Sequence, residues 1–282
     1  MSPDSHTGML LEQKIIAQEL GVCPLMDPAR EFERRVDFLA EVLIQSQRTS
    51  LVLGISGGVD SLTGGLIAQH AAKKARSYGR DAKFIAMRLP YGEQLDAMDA
   101  QLSLELIQPD ATLMVNIKPA SDAILQSLKD GGLTFGDARE EDFILGNIKA
   151  RQRMIAQYAV AGRESGLVIG TDQAAEALMG FFTKHGDGAC DVTPLAGLTK
   201  RQVREIARHC GASEVLTYKV PTADLETLSP LKPDELSFGV SYDEIDDFLE
   251  GKAVSPDAYE IILRQYRATE HKRRLPVSLR YR

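Results

Sequence analysis

The residues best suited to chemistry form one short segment of glycines, serines and an aspartate, Gly54-Ile-Ser-Gly-Gly-Val-Asp-Ser61. Small residues let backbone N–H groups close around an anion, and the start of a helix adds partial positive charge. The segment therefore indicates a site for an anion such as phosphate. The structural alternative is a plain glycine turn between a strand and a helix.

The segments on either side of this loop alternate between predicted strands and helices. Four strands are predicted, at 51–56, 83–89, 112–117 and 167–170. Helices are predicted at 61–76, 94–107, 121–129, 139–163 and 199–210. This alternation predicts an α/β fold with a doubly wound parallel sheet covered by helices on both faces. Ligands of such sheets bind beyond the carboxyl ends of the strands, so we expect the site in the loops after Ser56, Leu89 and Gly170.

Extra helices are expected at both ends of the chain. They are predicted at 9–20, from Asp27-Pro28 onward, at 242–249 and at 257–269. Residues 220–233 contain prolines and little periodicity, and a long irregular loop of this kind is more often a lid or a binding element than a linker. We expect the acidic run 243–247 to be surface, and the basic run 271–274 to be a helix end.

The composition excludes several classes of protein. The chain has 282 residues, of which 44% are hydrophobic, and we expect one domain spanning 1–282. A formal net charge of −7 argues against a nucleic-acid partner. Cys23, Cys190 and Cys210 are far apart, so each is interpreted as a small buried or half-buried apolar residue. No apolar run is long enough for a membrane span and no signal peptide is visible, so we expect a cytoplasmic protein with no membrane partner.

The loop at 54–61 lacks the lysine of the familiar P-loop, GxxxxGK[ST]. It resembles the SGGxDS loop of the ATP pyrophosphatases, which release pyrophosphate and form an AMP-activated intermediate. Six further blocks resemble, in order, the ammonia-dependent NAD synthetases. These blocks are Gly146-Asn-Ile-Lys-Ala-Arg-Gln-Arg-Met154, Gly170-Thr-Asp-Gln-Ala-Ala-Glu-Ala177, Gly180-Phe-Phe-Thr-Lys-His-Gly-Asp-Gly188, Pro221-Thr-Ala-Asp-Leu225, Ser241-Tyr-Asp-Glu-Ile-Asp-Asp247 and Thr269-Glu-His-Lys-Arg-Arg274. The resemblance covers most of the chain from residue 51 onward and implies a five-stranded sheet like that of the adenine nucleotide alpha-hydrolases.

The resemblance assigns roles to individual positions of this sequence. It implies ATP contacts at Gly54, Ile55, Ser56, Gly57, Gly58, Val59, Asp60, Ser61, Thr171, Lys200 and Thr222. It implies contacts with deamido-NAD at Asn147, Arg151, Lys184, Asp191, His271 and Lys272. Asp60 and Glu176 would be the magnesium ligands. Arg88, at the carboxyl end of a predicted strand, is a further candidate nucleotide contact. Without the resemblance, several of these residues would be read as ordinary core or surface positions.

The implied reaction is the ATP-dependent amidation of deamido-NAD to NAD, with release of AMP and pyrophosphate. The substrate carboxylate would first be adenylated, because a free carboxylate has no adequate leaving group, and ammonia would then displace AMP. Asp60, Asp172 and Lys200 are the candidate catalytic residues, with Asp172 as a hypothetical acceptor of a proton from ammonium. Family members are homodimers, so we expect a dimer by resemblance. The chain has no room for the glutaminase domain of glutamine-dependent relatives, so ammonia would come from solution or from another protein.

Two positions depart from the family pattern, and two alternative functions remain. Val59 occupies the variable loop position, often glutamine in bacterial relatives, and residues 275–282 lack the family's usual aromatic and acidic ending. Another ATP pyrophosphatase, acting on a different carboxylate or on a tRNA base, is the nearest rival. The missing CxxC pair and the negative charge argue against tRNA thiolation. A non-catalytic adenine-nucleotide sensor would bind ATP without releasing pyrophosphate.

Overall fold

Four parallel strands form the centre of the molecule. The structure, a computed structural model, describes residues 3–92, 97–222 and 225–279, with side chains from residue 10 onward. The strands are β1 (Ser50–Gly54), β2 (Lys83–Arg88), β3 (Ala111–Met114) and β4 (Gly166–Val168). Their order is β3-β2-β1-β4, and all three pairings are parallel. The direction in which strands are added therefore reverses between β1 and β4, as expected for a doubly wound sheet.

The expected fifth strand is wrong for the described part of the chain. The segment that would form it approaches β4 but makes one isolated parallel bridge, between Ile169 and Val192. The Gly170 amide donates a hydrogen bond of 2.9 Å to the Val192 carbonyl. Pro194 follows two residues later and has no N–H to continue a ladder. The pairing therefore ends before a strand forms.

Helices cover both faces of the sheet and extend the fold at its two ends. Six of the described helices precede β4 in the chain: α1 (Pro3–Glu19), α2 (Pro28–Gln45), α3 (Val59–Ser77), α4 (Ala97–Ile107), α5 (Lys118–Asp130) and α6 (Ala138–Arg163). The remaining helices are α7 (Ala174–Met179), α8 (Lys200–His209), α9 (Glu214–Thr217), α10 (Asp234–Phe238), α11 (Tyr242–Leu249), α12 (Pro256–Ala268) and α13 (Glu270–Arg273). The predicted long helices and terminal helices are confirmed. The start predicted for α4, at 94, lies outside the described residues.

Alternate residues of each strand enter different cores. Leu51 and Leu53 of β1 pack with α2, α3 and α8, whereas Val52 packs on the opposite face with residues of β2 and α6. This alternation is the two-residue period of a strand that is buried on both faces. A third cluster joins α7, α10, α11 and α12 beside the sheet. Among the described residues, none of the helices has the length and apolar character needed to cross a membrane.

Side-chain caps fix where two of these helices begin. Asp27 accepts a hydrogen bond of 2.8 Å from the Arg30 amide, with Pro28 in the first turn of α2. Thr199 and Gln202 form a reciprocal capping box at the start of α8. Both beginnings agree with the prediction to within one residue. The α8 cap places Lys200 in the first turn of its helix.

Candidate active site

A cavity of about 290 Å³ opens at the carboxyl ends of β1, β2 and β4, on the side where the strand order reverses. This is the edge at which the sequence predicted the site. Many of the predicted nucleotide and metal residues line it. They are Gly54, Ile55, Ser56, Gly58, Val59, Asp60, Ser61, Thr171, Asp172, Glu176, Lys200 and Thr222. The other two ATP residues expected from sequence, Gly57 and Arg88, do not line the cavity, although their neighbours in the chain do.

The loop between β1 and α3 is built from residues that allow a tight turn. Gly57 has a φ of +90°, and a Cβ added there would come within 2.7 Å of the Ala100 amide nitrogen. Any other residue would therefore be strained and would collide with the start of α4. The Ser61 hydroxyl donates to the Gly58 carbonyl at 2.9 Å and accepts from the Ser56 amide at 3.2 Å. These contacts hold the loop closed around the beginning of α3.

A buried lysine meets two carboxylates at the floor of the cavity. The Lys200 Nζ lies 2.5 Å from Asp60 Oδ2 and 4.0 Å from Glu176 Oε1, and the lysine is 2% exposed. Burial alone would lower the pKa of Lys200, but Asp60 and Glu176 outweigh burial and raise it. The lysine is therefore a fixed positive charge beside the loop at 54–61.

The carboxyl groups around this lysine outnumber it, and burial together with their mutual repulsion disfavours their charged forms. Burial, followed by the charges of Asp187 and Asp60, raises the pKa of Asp172 to about 8. Burial and then Asp60 raise the pKa of Glu176 well above its ordinary value. Oδ1 of Asp60 is buried and has no hydrogen-bond partner. Asp60 and Glu176 could thus hold a divalent cation, whose charge would stabilise both carboxylates.

The start of α8 is fixed by an aspartate from α11. Asp246 is 1% exposed, and its two oxygens accept from the Lys200 amide at 2.9 Å and the Arg201 amide at 2.7 Å. Free amides at a helix start need such acceptors. Burial, partly offset by these hydrogen bonds, raises the pKa of Asp246 to about 6. The expectation that 243–247 is surface is therefore wrong for Asp246, because the buried face of α11 contains Tyr242, Ile245, Asp246 and Leu249.

The residues expected to contact the dinucleotide lie outside this cavity, and three of them form a chain of contacts. The Arg151 Nη2 donates to the Lys184 carbonyl at 3.2 Å, and the Lys184 Nζ donates to the His271 carbonyl at 2.6 Å. The Asn147 Nδ2 donates to its own helix, at the Phe143 carbonyl. These groups connect α6 with the α13 end of the chain.

The last two dinucleotide residues have contacts that also hold the fold together. Asp191 Oδ2 accepts from the Val168 amide at 2.7 Å, at the end of β4. The Lys272 Nζ donates to the Gly180 and Phe182 carbonyls, both at 2.9 Å. Lys272 also lines a second cavity, of about 580 Å³, which shares Asp172 with the first. Lys272 is therefore not simply a solvated helix end.

Several cavity residues were not singled out by the sequence analysis. They are Arg153, Gln157, Phe181, Asp187, Lys219 and Asp234. Gln157 Oε1 accepts from the Gly54 amide at 2.8 Å, and the Arg153 Nε donates to the Leu89 carbonyl at 3.1 Å. Both side chains come from α6 four residues apart. Their spacing on the helix was a usable signal, because the same face contains Gly146 and Lys149.

The segment 220–233 forms part of the cavity wall. Val220, Pro221, Thr222 and Leu225 line the cavity, while 223 and 224 lie outside the described residues. Thr222 pairs with Pro233 in an isolated antiparallel bridge, and the Asp234 amide donates to the Pro221 carbonyl at 3.0 Å. The segment therefore leaves and returns at one point beside the cavity, and its role as a lid or a binding element stays a prediction.

The free cysteines lie apart from this chemistry. Cys23 is exposed, contrary to its interpretation as a buried or half-buried residue, whereas Cys190 and Cys210 are half-buried as expected. The Cys23 Sγ donates to the Leu25 carbonyl at 3.3 Å in the turn before α2. Within the described chain, no group of three or more histidine, cysteine, aspartate or glutamate side chains could hold a metal.

Comparisons with known proteins agree on one family. The sequence profile of NAD synthase matches residues 31–276. The chain is 59% identical to an NH(3)-dependent NAD(+) synthetase from Streptomyces coelicolor, over 97% of this chain and 99% of that relative. It is 56% identical to an NH(3)-dependent NAD(+) synthetase from Burkholderia mallei, over 98% of this chain and 97% of the relative.

Solved structures give the same result. An NAD+ synthetase from Burkholderia pseudomallei is 54% identical with a TM-score of 0.83, covering 95% of this chain and 98% of that one. An NMN synthetase from Francisella tularensis is 33% identical with a TM-score of 0.80, covering 91% of this chain and 100% of that one. With the profile matching most of its length and relatives sharing more than half of its residues, the chain belongs to the NAD synthase family.

Proposed function

We propose that the chain is an ammonia-dependent NAD(+) synthetase, a ligase that amidates deamido-NAD with ATP and releases AMP and pyrophosphate. The observation that carries the proposal is the buried Lys200, held between Asp60 and Glu176 beside the loop at 54–61. A fixed cation at that position can stabilise the charge that develops on the phosphates. The 56–59% identity to NH(3)-dependent NAD(+) synthetases supports the assignment.

Adenylation is the first chemical step of this proposal. The substrate carboxylate attacks the α-phosphorus of ATP, the bond to the bridging oxygen breaks, and pyrophosphate leaves. The phosphates would contact the loop at 54–61 and Lys200, with Thr171 and Thr222 at the walls of the cavity. Arg88 ends β2 at the same edge of the sheet and would contact the nucleotide from outside the cavity.

Magnesium is proposed at Asp60 and Glu176. The buried, unpartnered Oδ1 of Asp60 and the raised pKa of Glu176, caused by burial and by Asp60, both fit a site for a divalent cation. Two carboxylates suit Mg²⁺, since it usually keeps water and takes its remaining ligands from substrate phosphates. When bound, the ion would neutralise charge on the phosphates.

Amide formation is the second step. Neutral ammonia forms the C–N bond at the acyl carbon, the acyl–oxygen bond breaks, and AMP leaves with the electron pair. One proton must be removed from the nitrogen for each turnover. Asp172 is the proposed acceptor, because it lines both cavities and lies within the charge field of Asp60 and Asp187.

The dinucleotide would be bound by Asn147, Arg151, Lys184, Asp191, His271 and Lys272. The contacts among Arg151, Lys184 and His271 support a shared role, since they bring α6 to the end of the chain. Residues from all three hydrophobic clusters line the ATP cavity, which supports a single domain over 1–282. A requirement for ATP supports a cytoplasmic location.

A homodimer is proposed from the uncovered side of the sheet. β3 is an edge strand and is exposed at each of its four residues. Met114 is 70% exposed, and Phe143 and Ile155 of α6 are 58% and 52% exposed. An exposed edge strand and exposed large apolar side chains are features that contact with a second copy would cover. Light scattering that gives twice the mass of the chain would support this proposal, and the mass of a single chain would contradict it.

The test of the function is an assay with deamido-NAD, ATP, Mg²⁺ and ammonium chloride. NAD is followed with a coupled dehydrogenase, and the nucleotides by chromatography. One AMP for each NAD is the expected result. ADP in place of AMP, or ATP binding with no NAD, would exclude the proposal, and the latter would favour a nucleotide sensor or another acyl substrate.

Amidation of the mononucleotide is a second candidate, favoured by the likeness to the Francisella tularensis NMN synthetase. The identity is 33% for that protein, against 54% for the Burkholderia pseudomallei NAD+ synthetase. We therefore expect kcat/KM to be higher for deamido-NAD than for nicotinic acid mononucleotide. The reverse order of kcat/KM would assign the chain to NMN synthesis.

A further inference from the structure

One face of α6 contacts residues 225–228 of the 220–233 segment. Asp142, Gly146 and Lys149 lie four and three residues apart, so they share this face. All three are buried, yet none of them lines the nucleotide cavity. They contact residues 225–228, whose first member, Leu225, is part of the cavity wall. Two of the three are charged, and their burial requires partners.

Asp142 holds the backbone of the segment directly. Its Oδ1 accepts from the Thr227 amide and its Oδ2 from the Leu228 amide, both at 2.8 Å. A carboxylate that binds two successive amides fixes both the position and the direction of the chain. Asp142 itself is 8% exposed, whereas Thr227 and Leu228 are exposed. The aspartate is thus the fixed partner and the segment is the element that is held.

Lys149 holds the same segment two turns further along α6 than Asp142 does. Its Nζ donates to the Leu225 carbonyl at 2.7 Å and to the Thr227 hydroxyl at 2.8 Å. The same ammonium lies 4.2 Å from the ring centroid of Tyr91, in the loop after β2. One buried charge therefore contacts both the 220–233 segment and the loop after β2.

Gly146 sets how closely the segment approaches. A Cβ added at Gly146 would lie 3.1 Å from Leu225 Cβ and 3.2 Å from the Leu225 carbonyl oxygen. Both distances are tighter than ordinary van der Waals contact, so a side chain here would push Leu225 outward. The glycine lies between the two charged residues, where the segment touches the helix.

We propose that Asp142, Gly146 and Lys149 form a docking strip that positions the Leu225 wall over the bound nucleotide during the reaction. The base of the segment is held separately, by the Thr222–Pro233 bridge and the Asp234–Pro221 hydrogen bond. The docking strip therefore positions residues 225–228, while the two ends of the segment stay in place. Its members are positioning residues, and the catalytic consequence rests on the proposed function.

That consequence is protection of the acyl adenylate from water. If the wall is displaced, water can attack the acyl carbon, the acyl–oxygen bond breaks, and AMP leaves with the electron pair. The products are the original carboxylate and AMP, so each such event consumes one ATP without forming NAD. The ratio of AMP to NAD consequently measures how well the wall is placed, and loss of fold alone would not change it.

The experiment compares Lys149→Met and Thr227→Val with the wild-type protein and with Arg163→Met. Lys149→Met keeps the length of the side chain but removes its hydrogen bonds. Thr227→Val removes one partner from an exposed position, so it tests the contact with little risk to the core. Arg163 is an exposed charge at the far end of the same helix and serves as the matched control.

Three readouts are taken from each protein. The Thr227 and Leu228 amides donate to Asp142, and their hydrogen exchange should be roughly ten-fold faster in Lys149→Met, and less so in Thr227→Val, because the hydrogen bonds by which Lys149 holds the same segment are lost. The ratio of AMP to NAD should rise from one to about two or more in Lys149→Met. The KM for ATP should increase several-fold, and Arg163→Met should match wild type in all of these.

Unchanged exchange at these two amides in Lys149→Met would overturn the docking strip. A ratio of AMP to NAD that stays at one, with faster exchange, would overturn its role in protecting the adenylate. If the wild-type protein forms no NAD, the proposed function fails, but the exchange measurement still tests the contact. The two failures are therefore distinguishable.

Discussion

The Lys200 ammonium and the Asp60 carboxylate, 140 residues apart in the chain, meet at 2.5 Å inside the nucleotide cavity. The lysine comes from the first turn of α8 and the aspartate from the first turn of α3. Two helix starts thus face the same point at the carboxyl edge of the sheet, where both helix dipoles favour anions. The first amides of α8 are already bound by Asp246, so this geometry places one fixed cation and the amide-rich start of α3 around the phosphates of the proposed ATP.

Replacing Lys200 with methionine should abolish most of the activity. The substitution removes the fixed charge that would stabilise the phosphates, and we expect kcat to fall roughly 100-fold to 1,000-fold. It also leaves Asp60 and Glu176 without their cation, so we expect the free energy of unfolding to fall by about 3 kcal/mol. Steady-state kinetics and urea unfolding measure the two effects.

The control for this substitution is Lys83→Met, which breaks the half-exposed pair between Lys83 and Glu164. A pair so open to solvent is worth little, so both kcat and stability should stay close to wild type. If Lys200→Met kept kcat within a factor of three of the wild-type value, the proposed role of Lys200 would be wrong.

Alanine substitutions at Gly57 and Gly79 distinguish the effect of loop geometry on ATP binding from the effect of backbone strain on stability. Both have positive φ, +90° and +77°, but a Cβ at Gly57 would collide with Ala100 whereas Gly79 has open space around it. Gly57→Ala should displace the loop that would bind the phosphates. We expect the ATP dissociation constant to rise at least roughly ten-fold, which corresponds to a loss of about 1.4 kcal/mol of binding free energy. Gly79→Ala should lose stability by about 1 kcal/mol and bind ATP as wild type does.

Isothermal titration with ATP and Mg²⁺ compares the two glycine variants, and thermal unfolding confirms that both are folded at the assay temperature. Equal ATP affinity for Gly57→Ala and Gly79→Ala would show that the turn at Gly57 is not needed for binding. A fall in affinity for Gly79→Ala would indicate that general destabilisation, and not the turn, governs the measurement.

The sequence predicted the features that depend on neighbours in the chain. The loop at 54–61, the Asp27 cap and the position of Lys200 next to the Thr199 cap all follow from local residue types, and the structure has them where expected. Asp246 was placed wrongly because its partners, the amides of Lys200 and Arg201, are 45 or more residues away. Because its neighbours in the chain are acidic, the sequence did not show that Asp246 lies on the buried face of α11.

The strand count failed for a similar reason. Whether 190–193 forms a strand depends on how far it can pair with β4, and Pro194 ends that pairing after one bridge. The docking strip on α6 was also invisible, because the partners of Asp142 and Lys149 lie 76 to 86 residues further along an irregular segment. Periodicity identifies which face of a helix is buried but not what covers it.

Asp246 should make stability depend on pH in an unusual direction. Its pKa rises from an ordinary value of 3.8 to about 6 on folding, mainly through burial. The folded state therefore binds this proton more tightly, so the stability it contributes is complete below pH 4 and is lost as the pH rises through 6. The size of this change is about 3 kcal/mol.

Asp246→Asn isolates this contribution because asparagine does not titrate and keeps one acceptor for the α8 amides. The difference in unfolding free energy, wild type minus Asp246→Asn, should decrease between pH 4 and pH 7. Urea unfolding of both proteins at several pH values gives this difference. A difference that increases over the same range would mean that the two amide hydrogen bonds outweigh burial and that the carboxylate is stabilised in its charged form.

Thiol labelling should separate Cys23 from the other two cysteines. Cys23 is exposed, whereas burial raises the pKa of Cys190 to about 11 and that of Cys210 to about 11. Because only the thiolate reacts, the two half-buried thiols should be alkylated far more slowly by iodoacetamide at pH 7.5. Mass spectrometry of the native protein should show one modified cysteine, and Cys23→Ser should show none. Rapid labelling of Cys190 in the native protein would mean that the contact between β4 and 190–193 opens readily.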